Sequence, residues 1–171
     1  MQHEWEINPE WPADCSGITG YFAFEPKPTS QRILISVAGW QFFVGCGITE
    51  YTDLFEFPSG DAIVIAKGCP YIVSPGNQRV IAPNPVCDGI VRATFCEGFD
   101  VLVTTVLWSS VWAFDTNGRK WRDNEFMMDD LEVFEPRGDQ FVIAGFDSSI
   151  QCSFKLGLDI ETGQRSSLKT S

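Results

Sequence analysis

The chain has 171 residues, of which 44% are hydrophobic and 20% charged. This composition excludes a disordered chain, and no apolar run approaches the ~20 residues needed to cross a bilayer. The formal net charge of −11 disfavours binding to nucleic acid or an anionic membrane and favours a basic partner.

Alternating apolar and polar positions and short runs of β-branched or aromatic residues predict a series of strands. In chain order these lie at 32–37, 40–48, 62–66, 89–96, 101–108, 111–114, 131–134, 141–145 and 152–160. Turn-forming residues separate them at 58–61, 75–77, 117–118 and 136–139. The chain therefore reads as successive hairpins with at most one short helix.

These strands predict an all-β fold, in which antiparallel twisted sheet forms a sandwich or a partly closed barrel. The length suits a single domain over 1–171, with 1–30 as an irregular N-terminal segment. The stretch 111–121 is similar to one repeat of a β-propeller: a strand ending in Asp115, a turn at Asn117-Gly118 and a returning Trp121. That pattern does not return at a fixed period of ~40 to 50 residues, so a propeller is not predicted.

The six cysteines are expected to be reduced thiols, most of them buried. The sequence contains no CxxC pair, and its one histidine is His3, so neither zinc nor another cofactor is predicted. The first residues, MQHEWEINPEW, lack the apolar run of a secretory signal, from which we expect a cytoplasmic protein.

Catalysis is not expected. His3 would have to act as the base for a distant nucleophile, and no phosphate-binding or nucleophile motif is present. Asp129 or Asp130 could pair with Asp147 as glycosidase carboxylates, but aspartates at strand ends more often bond turn amides. We therefore predict no catalytic residue.

Several marks within 71–163 resemble a group of uncharacterised bacterial β-rich proteins. They are Asp115, Gly118 and Trp121 in FDTNGRKW, followed by DDLEV, AGFD and FKLGLDIETG. The resemblance implies an all-β fold and no known activity. In size, acidity and lack of a catalytic motif, the chain is also similar to cytoplasmic immunity proteins that neutralise bacterial toxins.

Two surfaces could bind a partner. Exposed tryptophans, with Trp5, Trp11 and Trp121 as candidates, would suit a carbohydrate or another small ligand. The acidic segment 123–132 mixes carboxylates with apolar anchors and would suit a basic protein, most simply a toxin whose active site it covers. The residues predicted for that contact are Asp123, Glu125, Phe126, Met128, Asp129, Asp130 and Glu132.

Overall fold

Nearly every strand of this chain pairs with its neighbours in sequence, as the short connections require. The computed structural model describes residues 3–8, 18, 20–22, 31–81, 89–107, 110–123, 130–147, 151–166 and 168. Within them the regular structure is β-strand, apart from two single-turn 3-10 helices at Pro75–Asn77 and Glu97–Phe99. The predicted all-β class is confirmed.

The chain divides into two compact units, Met1–Ile90 and Val91–Ser171. The first contains two four-stranded sheets, with strand orders β1-β3-β4-β2 and β5-β6-β7-β8. Its strands are β1 Trp5–Asn8, β2 Tyr21–Phe22, β3 Arg32–Val37, β4 Trp40–Gly45, β5 Asp53–Glu56, β6 Ala62–Ala66, β7 Cys69–Ser74 and β8 Arg79–Ile81.

The second unit also contains two four-stranded sheets, with orders β12-β11-β10-β9 and β13-β14-β15-β16. Its strands are β9 Ile90–Cys96, β10 Val101–Val106, β11 Ser110–Asp115, β12 Gly118–Asp123, β13 Asp130–Arg137, β14 Gln140–Asp147, β15 Cys152–Asp159 and β16 Arg165–Ser166. None of the four sheets closes into a barrel, so the arrangement fits a sandwich of antiparallel sheets. The prediction of one domain stays a prediction.

The backbone shows a repeated four-stranded unit that is not apparent in the sequence pattern. Three sheets are four-stranded meanders that begin at Asp53, Ile90 and Asp130, so their starts are 37 and 40 residues apart. The first sheet departs from this order, because β2 pairs parallel to β4 while β1 pairs with β3. Residues 1–30, predicted to be irregular, thus supply both edge strands of the first sheet.

Each unit has its own hydrophobic core between its two sheets. In the first unit, alternate residues of β3 and β4 pack against those of β6 and β7. Tyr71, fully buried there, donates its hydroxyl hydrogen to the carbonyl of Gly45 at 2.7 Å. The polar end of this large side chain is thereby satisfied inside the core.

The core of the second unit is anchored by Trp121 on β12. Its ring is 8% exposed, and its Nε1 donates to the carbonyl oxygen of Ile160 at 2.7 Å. Gly163 lies against the ring with a backbone φ of +71°, and a Cβ at this position would come within 2.6 Å of the indole. Glycine is therefore required at 163 both by conformation and by contact.

Replacing Gly163 by alanine should destabilise the fold by about 2 to 4 kcal/mol, because the left-handed backbone strain adds to the clash with Trp121. Gly138→Ala is the matched control, since Gly138 also has a positive φ of +63° but has no atom within 4 Å of the added Cβ. That variant should lose about 1 kcal/mol. Equal losses for the two variants in urea unfolding would contradict the close contact at Trp121.

Candidate functional site

The acidic segment predicted from the sequence connects two edge strands, β12 and β13. Four of its predicted residues, Glu125, Phe126, Met128 and Asp129, lie outside the described residues. Asp130 begins β13. The backbone therefore places the two ends of the segment on the edges of adjacent sheets of the second unit, and the predicted contact residues stay a prediction.

Asp123, at the end of β12, is engaged within the protein. Arg165 of β16 donates to both of its carboxylate oxygens, from Nε at 2.8 Å and from Nη2 at 2.9 Å. The Asp123 side chain is 10% exposed, which shields this two-point pair from solvent better than an ordinary surface ion pair. Asp123 therefore joins the two sheets of the second unit.

Glu132, in contrast, is exposed. The pairing between β13 and β14 shifts after Leu131, which lies opposite Gly145, to Val133, which lies opposite Ala144. Glu132 is the extra residue of this β-bulge, and bulges turn a side chain away from its expected direction. Of the predicted acidic residues, it is the one whose described side chain is available to a partner.

A double-mutant cycle should show whether the ion pair between Asp123 and Arg165 is stronger than an exposed ion pair. Asp123→Asn combined with Arg165→Gln is expected to give a coupling energy of about 1 to 2 kcal/mol in the free energy of unfolding. Glu135 and Arg137 form an exposed pair on β13 and serve as the control, with an expected coupling below about 0.5 kcal/mol. Equal coupling energies would show that the Asp123 pair is an ordinary surface contact.

The described cysteines are free thiols: Cys46, Cys69 and Cys96 are buried, and Cys152 is exposed. Burial raises the pKa of Cys96 from 9.0 to about 11. Burial also raises the pKa of Cys46, against a smaller lowering by Lys67. A raised pKa lowers the thiolate fraction at neutral pH, so neither residue is an activated nucleophile.

The raised pKa of Cys96 makes the free energy of unfolding depend on pH in the alkaline range. The buried thiol contributes its full stabilisation below pH 9, and the contribution is lost as pH rises from 9 towards 11, because only the unfolded chain ionises there. The loss should reach about 2 to 3 kcal/mol. Urea unfolding of wild type and Cys96→Ala over this range checks it: the difference between them should shrink as pH rises, and a constant difference would contradict it.

The tryptophans that the structure describes are buried or half-buried. Trp121, a candidate for exposure, is buried in the core, so that part of the hypothesis is wrong. Trp40 and Trp112 are buried as well. Trp5 is half-buried and packs against the first core, while Trp11 lies outside the described residues. Among the described part of the chain, no group of three or more potential metal ligands is found.

The sequence did not point to an acidic surface on the edge strands β1 and β5 of the first unit. The backbone N–H of His3, just before β1, donates to Glu56 Oε1 at 3.0 Å, which brings the start of β1 close to the end of β5. Glu4, before β1, and Glu6 on β1 are exposed, and Asp53 on β5 is exposed too. We call Glu4, Glu6, Asp53 and Glu56 the acidic edges.

The two strands that carry the acidic edges, β1 and β5, contain no lysine or arginine. Trp5, Ile7 and Leu54 point to the core and fix the two strands by packing, so the intervening carboxylates are held on a supported surface. Within the described residues, neither Glu4 nor Glu6 makes an ion pair. The buried indole Nε1 of Trp5 also has no hydrogen-bond acceptor there. The sequence missed this surface because it depends on a contact between His3 and Glu56, which are 53 positions apart.

Comparison with known proteins gives no assignment: no protein-family model and no curated protein matches the chain. In the parts of the chain that the structure describes, no helix is long and apolar enough to cross a membrane.

Proposed function

We propose that this protein is a non-enzymatic binding protein that neutralises a basic protein toxin by covering the toxin's active site, as immunity proteins do. The observation that carries the proposal is the pair of acidic edges, where the exposed carboxylates of Glu4, Glu6 and Asp53 lie on or beside strands fixed by the core. The sequence-derived segment 123–132 stays a second candidate contact, of which the described Glu132 side chain is exposed.

The charge distribution supports a basic partner. Residues 1–90 contain ten acidic and four basic residues, and residues 91–171 contain thirteen and eight. Both units are therefore negative, and the whole molecule attracts a cationic protein at long range. Toxins that act on nucleic acid or nucleotides carry basic active sites, which carboxylates can occupy in place of phosphate.

The chemistry of the described residues agrees with binding rather than turnover. The two thiols with shifted pKa values are shifted away from reactivity. His3 lies at the acidic edges, where its backbone N–H donates to Glu56 Oε1. We infer that affinity comes from steering by charge and from complementary contact, and that the protein acts in the cytoplasm, where such a toxin would otherwise work.

The test is co-purification and protection with the protein encoded by the neighbouring gene. The wild type should form a complex with that protein and protect cells that express it. Glu4→Lys with Glu6→Lys should weaken the complex at least tenfold, because each reversal replaces attraction by repulsion. The association rate should fall as salt rises, while the dissociation rate changes little.

Glu161→Lys is the matched control, because Glu161 is an exposed carboxylate in the turn between β15 and β16. It should leave protection intact. Asp129→Lys with Asp130→Lys examines the sequence-derived segment separately. If no complex forms, or if neither pair of reversals weakens it more than Glu161→Lys does, the acidic surfaces do not bind the partner and the proposal fails.

A further inference from the structure

The edge strand β12 has the opposite character to the acidic edges. Arg119, Lys120 and Arg122 are all exposed, so four consecutive positions hold three of the chain's 12 basic residues. Within the described residues, neither Arg119 nor Lys120 makes an ion pair. The neighbouring carboxylate of Asp123 is bound to Arg165.

A β-bulge places the two arginines on one face. Successive strand residues alternate between faces, so positions 119 and 122 would ordinarily point in opposite directions. The register changes between Ala113, which pairs with Trp121, and Phe114, which pairs with Arg119. Lys120 is the extra residue, and Arg119 and Arg122 consequently share the face of Phe114 and Trp112.

Both guanidinium groups lie over the ring of Trp112. The central carbon of Arg119 is 5.4 Å from the ring centroid and that of Arg122 is 5.0 Å from it. Trp112 is 6% exposed and its Nε1 donates to Ser110 Oγ at 2.8 Å, so the ring is a fixed platform. Stacking orders the guanidinium planes in advance and lowers the entropy lost when their N–H groups bind an oxyanion.

We propose that β12 binds an extended acidic peptide, which adds a strand to this sheet and places carboxylates on Arg119 and Arg122. Among the described strands, β12 pairs with β11 alone, so its outer edge carries backbone groups that can pair with an added strand. Because Lys120 is the extra residue of the bulge, Arg119 and Arg122 are spaced along β12 like two alternate residues of a regular strand. They match glutamates at every second position of the peptide. This inference is independent of the proposed function, which uses the carboxylates of the acidic edges and of segment 123–132 rather than the basic residues of β12.

Charge decides between a peptide and a nucleic acid. A nucleic-acid strand carries many negative charges and would be repelled by the net charge of −11. A short peptide with two or three carboxylates is repelled much less by that net charge, and the basic residues of β12 attract it. Planar carboxylates also suit the two-point geometry of arginine.

The probe is a short synthetic peptide in which glutamate alternates with threonine, titrated into the isotopically labelled protein. We expect shifts in the indole N–H resonance of Trp112 and in the Nε–H resonances of Arg119 and Arg122. Arg119→Gln with Arg122→Gln should weaken binding at least about tenfold, since each removes a charge-assisted hydrogen-bond donor. Lys120→Glu should weaken it too, without removing either arginine from Trp112.

Three controls make the test decisive. Arg79→Gln removes an exposed arginine from the edge strand β8 and should leave peptide affinity unchanged. A glutamine-threonine peptide, and a peptide with its glutamates adjacent, should bind more weakly. Of two peptides N-methylated at alternate amides, one should lose binding, because only one set of amides faces β12.

The inference is overturned if the acidic peptide does not bind or if Arg79→Gln matters as much as the β12 variants. Equal binding of the glutamine peptide, or of both N-methylated peptides, would also overturn it. Tighter, arginine-dependent binding of single-stranded oligothymidylate would assign β12 to nucleic acid instead. Loss of peptide binding with toxin protection intact, or the reverse, separates this inference from the proposed function.

Discussion

The packing of Gly163 against Trp121 is the contact on which the second unit depends. Trp121 points inward opposite Ala113, is buried, and donates to the carbonyl of Ile160 beyond β15. The turn before β16 can approach the indole only without a side chain at 163. Since Trp121 must face the core, its neighbours on β12 face outward, and the edge of the sheet becomes a charged surface.

Bulges then decide which charges a partner meets. Lys120 on β12 and Glu132 on β13 are each the extra residue opposite a regular strand. The first brings two arginines together over Trp112, and the second turns a carboxylate outward from an edge. Glu132 and Pro136 on β13 also prevent edge-to-edge aggregation at that strand.

The fold was largely predictable because its central strands are apolar and bounded by turn residues. All nine predicted strands are present, including β14, whose central residues are buried. Some missed strands give little signal: β12 is polar, and β2, β8 and β16 have two or three residues each. β7 was missed although it is apolar and buried, and it contains Pro70, which weakens a run as a strand candidate. The Lys67-Gly68 turn lacks the Asn-Gly signature, although both residues have positive φ. The acidic edges could not be predicted, because they depend on pairing across 53 positions between His3 and Glu56.

We propose that carboxylates on the core-supported edge strands β1 and β5 contact a basic protein partner. Hydrogen exchange of the complex with the protein encoded by the neighbouring gene tests this claim directly, compared with the free protein under identical conditions. We expect slower exchange at β1 and β5, with β8 and the turn after Asp159 unchanged. Unchanged exchange at β1 and β5 in a complex that nevertheless forms would contradict it.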